Sequence, residues 1–290
     1  MKKFCLCTVI ASLLVFTCVS AFAASIKNDK LSDFLYLCAT STYDEVALAL
    51  DGQDKEATDE KGMTALMYAV HYNQETKIVQ LLLEYGFSVN AVDNYGQTVL
   101  IHAMYLNDPV VIKMLLDNSA DVNAAYTARG NKTALMHAAQ YSNKLLVFEL
   151  LIANGAQLEQ EDIYGNTAFF YACAYTDNVA IVEYLLHEGA KINKVNVGKR
   201  TPLMLTAMNA TKGPQIATIL LQEGANIHVF DENMNTPLIY AAMYSDEVDL
   251  YKVLLAHGAD VAFVNIAGYT ALDYVKLNER SEEIYKLFMN

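Results

Sequence analysis

The sequence predicts an all-α solenoid: one helix-pair unit repeated along the chain, its copies stacked around a shared, elongated core. Three observations lead there. A threonine-led phrase returns seven times, as Thr64-Ala-Leu, Thr98-Val-Leu, Thr133-Ala-Leu, Thr167-Ala-Phe, Thr201-Pro-Leu, Thr236-Pro-Leu and Thr270-Ala-Leu, in steps of 34, 35, 34, 34, 35 and 34 residues. A period in that range marks modules that cannot bury an apolar face alone and stack on their neighbours. An apolar doublet recurs late in most units, at Leu82-Leu83, Leu115-Leu116, Leu151-Ile152, Leu185-Leu186, Leu220-Leu221 and Leu254-Leu255. Finally, 54% of the 290 residues are hydrophobic, with four prolines and no tryptophan, which excludes low-complexity disorder. Such an array presents an extended surface rather than a catalytic pocket.

The chain starts with a segment that is not expected to belong to the fold. Lys2 and Lys3 precede a largely apolar run from Phe4 to Val19, and Ala21-Phe22-Ala23 supplies the small residues of a cleavage site. That is the layout of a secretory signal peptide over residues 1–23, cut before Ala24. Two alternatives stay open. A retained anchor needs about 20 apolar residues, and Thr8, Ser12, Thr17 and Ser20 dilute this stretch. Cys18, behind Val15-Phe16-Thr17, loosely resembles a bacterial lipid-attachment box. Residues 24–30 read as a flexible lead-in, and residues 31–58 as an N-terminal cap, a helix pair without a preceding turn.

The unit from Asp162 shows the design: Asp162-Ile-Tyr-Gly165-Asn-Thr167-Ala-Phe-Phe-Tyr171-Ala172. Asp162 and Gly165 suit a tight turn, because Gly tolerates backbone angles other residues avoid. Thr167 is placed to cap a helix, its hydroxyl accepting a free N–H. Proline follows that threonine in two units (Pro202, Pro237), where the first helical residue has no hydrogen bond to lose. The next apolar residue (Leu66, Leu100, Leu135, Phe169, Leu203, Leu238, Leu272) should enter the core. Three positions on, Ala69, Ala103, Ala138, Ala172 or Ala241 lets neighbouring helices approach. A short polar loop and a second amphipathic helix follow, ending at Gly86, Gly155, Gly189, Gly224 or Gly258, as a left-handed C-cap requires.

Asp-x-x-Gly-x-Thr-Ala/Pro-Leu followed by Leu-Leu-x-x-Gly-Ala-x-Val/Ile-Asn resembles the ankyrin repeat over nearly the whole chain after the leader. The resemblance implies an ankyrin-repeat α-solenoid with short hairpin-like finger loops, each finger leading into two antiparallel helices. The expected units are 59–92, 93–127, 128–161, 162–195, 196–230 and 231–264, closed by a C-terminal capping repeat at 265–290. Some positions depart from the pattern. Most helix pairs are one residue longer than the family's unit, which predicts an extended inter-helix loop. Ser119 stands where the C-capping glycine belongs, Met234 replaces a turn glycine, and the finger ahead of Thr133 is two residues longer than its peers. The family's histidine after the leucine is Met67, Ile101, Met136, Phe170, Met204 or Ile239, which puts its hydrogen-bonded link between repeats in question. In the last unit Lys276, Asn278, Glu279, Arg280, Glu282 and Glu283 are expected on an outer, solvated side.

Charge and cysteine content narrow the function. The formal net charge is −13, and loss of the leader would remove two lysines and no acid. A chain this acidic repels polyphosphate, so no nucleic-acid partner is expected, and anionic membrane surfaces are disfavoured. Three of the five cysteines lie in the leader; Cys38 and Cys173 fall four units apart and read as buried small hydrophobes, too distant for a disulfide. No phosphate loop, dinucleotide glycine pattern, nucleophile elbow or metalloprotease helix occurs, so no enzyme activity, cofactor or small-molecule substrate is expected. His102 and His137 recur one unit apart, but a zinc site needs three or four ligands and the neighbouring units offer Tyr or Leu, so no metal is expected either.

Tyrosine is the residue that stands out. Four residues after the threonines come Tyr68, His102, His137, Tyr171, Leu205, Tyr240 and Tyr274. Eight residues after come Tyr72, Tyr141, Tyr175 and Tyr244, with Tyr105 one position earlier in its unit; the fingers add Tyr95, Tyr126, Tyr164 and Tyr269. Positions four apart share one helix face. The family resemblance implies that the later ring lies on the concave side, where ankyrin proteins grip partners. At the earlier position a tyrosine that packs and hydrogen-bonds is the favoured reading. The later tyrosines and those of the fingers are the candidate partner-binding residues, being large, stiff and amphipathic. The expectation is an exported monomer, periplasmic or secreted and without membrane insertion after cleavage, that binds a protein. The runner-up is a periplasmic stability or assembly factor protecting an envelope enzyme.

Overall fold

The computed structural model describes residues 30–126 and 130–289; apart from Lys30, the expected leader and lead-in lie outside the described residues. The chain divides into two compact units, one up to Arg129 and one from Gly130 onward. In the first, the helices are α1 (Lys30–Thr40), α2 (Tyr43–Ala49), α3 (Ala65–Tyr72), α4 (Thr76–Tyr85), α5 (Val99–Leu106) and α6 (Pro109–Asp117). In the second they are α7 (Ala134–Tyr141), α8 (Leu145–Ala153), α9 (Ala168–Tyr175), α10 (Val179–His187), α11 (Pro202–Leu205), α12 (Gly213–Gln222), α13 (Pro237–Tyr244), α14 (Val248–Ala256), α15 (Ala271–Leu277) and α16 (Glu282–Leu287). Strand character among the described residues is limited to Ala125–Tyr126, Lys132–Thr133 and isolated bridges at the fingers, such as Thr58 with Thr64. Within each unit first helices pack on first helices and second on second: α1, α3 and α5 in one, α7, α9, α11, α13 and α15 in the other. This is the expected all-α repeat architecture. Among the described residues no helix is long and apolar enough to cross a membrane.

The repeated phrase explains the stacking. Ala69, Ala103, Ala138, Ala172 and Ala241 are all fully enclosed, as are the leucines or phenylalanine three residues before them. Leu272 is only half-buried, since the described chain supplies no further repeat to cover it. Thr64, Thr98, Thr133, Thr236 and Thr270 cap their helices, each hydroxyl accepting the N–H three residues on. Thr167 does not make the bond expected of it. There the Phe170 N–H goes to the Thr167 carbonyl at 3.1 Å, and Met204 does the same to Thr201, so the hydroxyl has no donor to accept.

Helix ends follow the glycine reading. At Gly86 (φ +95°) the pair Gly86 N–H to Leu83 O and Phe87 N–H to Leu82 O closes α4. Ser119 closes α6 with the same pair, its N–H to Leu116 O and Ala120 N–H to Leu115 O, at φ +66° despite its side chain. Met234 likewise holds a left-handed turn conformation, at φ +59°. Other left-handed positions went unread in the sequence, among them Asn131 at φ +59° and Lys199 at φ +56°, the latter while Gly198, one residue early, does not need its freedom.

The inter-helix loops and the C-terminus are tied down by side chains. Asn73 donates to Cys38 O and Ser41 O, Asn209 to Cys173 O and Thr176 O, and Asn278 to Ala242 O, each reaching the preceding repeat. These amides supply links between repeats at loop positions. Asn278 is exposed, as expected, while also bonding back to the preceding repeat; Arg280 is not on the solvated side. Arg280, only 12% exposed, donates to Ala242 O and Met243 O and pairs with Asp246, tying the last described helix pair to the preceding repeat.

Candidate partner-binding faces

Each finger aspartate organises its own repeat. One carboxylate oxygen of Asp162 accepts the backbone N–H groups of Tyr164 and Asn166 at 2.9 and 2.8 Å, holding the turn closed. The other accepts the Tyr171 hydroxyl at 2.6 Å, from the helix that the finger leads into. Asp59 with Tyr68 (2.7 Å) and Asp231 with Tyr240 (2.8 Å) repeat the arrangement. Burial first, and the carboxylate second, push all three phenols well above their usual pKa. The ring four residues after the threonine is thus a strut between finger and helix, as the favoured sequence reading had it. The acceptor was missed, although an Asp nine residues ahead of each such Tyr was visible.

The ring one turn later is different. Tyr171 is 8% exposed whereas Tyr175 is 45% exposed, and the two stack with centroids 6.2 Å apart. Tyr244 stands on Tyr240 at 5.7 Å, and Tyr141 on His137 at 6.0 Å, both outer rings being more than half exposed. In the first unit Tyr72 is half-buried on Tyr68, and Tyr105 is exposed. The finger residues Tyr95, Tyr164 and Tyr269 are exposed too. Tyr126 is backbone-placed in a two-residue strand, and its side chain lies outside the described residues. The tyrosines of the second unit do not form an unbroken stripe. Between Tyr175 and Tyr244 the repeat from Asn196 carries Leu205 and Met208, and Asn209 is buried in its loop.

The first unit adds a group that sequence reading overlooked. His102 replaces the tyrosine strut, its Nε2 lying 3.1 Å from Asp93 Oδ2. Its Nδ1 meets Nδ1 of His71 at 3.0 Å. With the His102 Nε2 proton given to Asp93, its Nδ1 accepts, so the shared proton belongs to His71. Tyr72 and Tyr105 flank the His71 ring at 4.2 and 4.7 Å. Burial, and then His102, depress the His71 pKa to about 3. For Asp93, burial raises the pKa, but hydrogen bonds from His102, Gln97 and Tyr95 outweigh it and leave the carboxyl below its ordinary range. Two histidines do not make a metal site, and no group of three or more ligating side chains occurs among the described residues.

A family model described as ankyrin repeats, three copies to a match, covers residues 35–126, 124–196 and 194–265. The chain belongs to the ankyrin repeat family. It is also similar to a protein of Borreliella burgdorferi (strain B31) named for its ankyrin repeats, with 28% identity over 78 residues. That match takes in 27% of this chain and 35% of the relative, so the chain spans about a third of the relative's length. Ankyrin repeats are protein–protein interaction modules and typically catalyse nothing. In this ankyrin chain, the buried cysteines agree with a frame rather than a reaction centre. Cys38 and Cys173 are free and enclosed, and burial lifts the Cys38 thiol to about 12, leaving no reactive thiolate.

Proposed function

We propose that this chain is an exported, monomeric, non-enzymatic protein that grips a protein partner with the outer tyrosines of its helix faces and fingers. The observation that supports this reading is the split within the tyrosine pairs of the second unit. Tyr171 and Tyr240 are locked to carboxylates and buried, while Tyr175 and Tyr244 stand exposed on them. A core needs no second, solvent-facing ring, whereas stiff aromatic groups on a rigid base are what binding surfaces use. Export rests on the leader, and Edman sequencing of the chain recovered from the cell envelope should then begin at Ala24.

The test is a chain with Tyr141, Tyr175 and Tyr244 replaced by alanine. Its thermal midpoint should stay within about 2–4 °C of the parent, since exposed side chains carry little stability. Capture of the parent's partner from envelope extract should be lost. An early-melting variant would make these rings part of the core, and a stable variant that still captures would remove them from the interface. A partner enzyme whose level falls in cells lacking this chain would favour the stability-factor form of the reading.

A further inference from the structure

The repeat from Asn196 lacks both rings, and the gap it leaves is shaped. Leu205 stands where its neighbours place a tyrosine strut, and the finger residue that would accept the hydroxyl is the neutral Asn196. Asn196 instead donates to Asn166 Oδ1 at 2.8 Å and accepts the Arg200 N–H. The residue eight after Thr201 is Asn209, turned away into the carbonyls of Cys173 and Thr176. Helix α11 is correspondingly short, passing into a 3-10 turn at Thr206–Met208. No ring therefore stands over Leu205, and the base beneath it is the buried cluster of Phe170, Ala174 and Leu205, of which Leu205 keeps the most exposed surface, 9%. The result is a hollow of about 210 Å³, walled by Tyr171, Tyr175 and Met208. That is below the roughly 300–1,000 Å³ of small-molecule sites and suits a single side chain.

The charges around it run against the rest of the molecule. The chain carries 33 acidic residues against 20 basic, yet no carboxylate lines this hollow, and its two charged lining residues are Lys132 and Arg200. Neither forms an ion pair among the described residues. Lys132 lies 4.1 Å over the Tyr171 ring and donates to Gln140, half-buried, with desolvation lowering its pKa against the pull of Asp162. The Asp162 carboxylate is itself taken up by Tyr171 and the finger backbone. A cation held partly out of water without a carboxylate gains from an incoming one more than a solvated cation does.

We propose that this hollow anchors an acidic peptide segment of the partner: one apolar side chain enters between Tyr175 and Met208 down to Leu205, and flanking carboxylates meet Lys132 and Arg200. This deepens the partner-binding reading and rests on it. Local charge, not the net charge of −13, then decides the partner's character.

The experiment is selection of a displayed library of random dodecapeptides on the full chain, followed by titration of the most enriched synthetic peptide. Enriched sequences should pair Leu, Ile, Met or Phe with Asp or Glu within two positions. The peptide should weaken about 10-fold in Arg200→Glu and in Lys132→Glu, and bind less tightly as salt rises. The double variant Leu205→Tyr with Asn196→Asp rebuilds the strut seen in the neighbouring repeats and should abolish binding by filling the hollow. If that variant fails to fold, the two charge reversals decide alone. No enriched family, a family without acidic residues, or affinity unchanged by the charge reversals would overturn the proposal. A peptide lost only on Tyr72→Ala or Tyr105→Ala would reject this hollow while leaving binding by the tyrosine faces intact.

Discussion

Two adjacent repeats of the second unit differ at the finger residue and at the residue nine positions later, and their first helices differ with them. From Asp162, a carboxylate closes the finger and accepts the Tyr171 hydroxyl, and α9 runs as a regular helix to Tyr175. From Asn196, the acceptor is an amide, Leu205 replaces the ring, and the first helix loosens into a 3-10 turn after Leu205. At four fingers Asp stands nine residues ahead of Tyr or His, whereas Asn196 stands nine ahead of Leu205. The pairing is physical: a buried carboxylate without its donor, or a buried phenol without its acceptor, is costly, whereas replacing both is mild. The terminal finger departs from this pairing and still satisfies the phenol, with Asn265 donating to the Tyr274 hydroxyl at 3.1 Å.

The comparison is broken most forcefully by Asp162→Ala. It strips two finger N–H groups of their acceptor and leaves the buried Tyr171 hydroxyl proton without one, so a loss of about 2–4 kcal/mol is expected in urea denaturation. Asn196→Ala, which strands no phenol, should cost about 1 kcal/mol. Equal losses would show that the strut contributes nothing.

A second contrast lies between units. Beside the Tyr68 strut the first unit also has His102 on Asp93, and that strut meets a second histidine, His71. Unfolded histidine titrates near 6.5, and His71 in the fold near 3. The folded chain therefore binds fewer protons, and the contribution is whole above about pH 6.5 and drains as pH falls toward 3. The groups facing His71 are His102, backed by Asp93, and the rings of Tyr72 and Tyr105. At pH 5 the loss should be about 1–2 kcal/mol. Hydrogen exchange at pH 7 and pH 5 should show α3 and α5 loosening, and His71→Asn should flatten that response. The depressed Asp93 carboxyl acts in the same direction in a lower window, below its unfolded value.

The smallest effects concern backbone conformation. Ser119→Gly, Lys199→Gly and Met234→Gly each remove a side chain from a left-handed position, and each should stabilise by about 0.5–1 kcal/mol. A thermal midpoint that falls instead would mean that the side chain contributes more than its backbone strain costs.

The frame was legible because it repeats. Threonine caps, the alanine spacer, the leucine doublets and the glycine ends each recur in phase, so a single reading served for every copy. Ser119 and Met234 stood out against that phase, while Lys199 did not, because Gly198 lies close enough to look like the turn glycine. The site was harder to read. Which of two tyrosines four apart is buried follows from the helix face, but the Asp162 to Tyr171 bond joins a finger to a helix and appears only when separate repeats are compared at one spacing. His71 with His102 bridges two repeats at 31 residues, off the repeat period, and no local pattern announces it. The role of Arg280 escapes the sequence for a related reason: a polar residue of this kind looks solvated until the carbonyls of the preceding repeat are in place.

Everything functional here depends on one ring of each tyrosine pair being frame and the other surface. Limited nitration of the native chain, read out residue by residue by mass spectrometry, tests that division directly, because the reagent needs an accessible phenol that can ionise. Tyr141, Tyr164, Tyr175 and Tyr244 should be modified early, and Tyr68, Tyr171 and Tyr240 only after unfolding. Modification of Tyr171 and Tyr240 at the pace of Tyr175 and Tyr244 would contradict it.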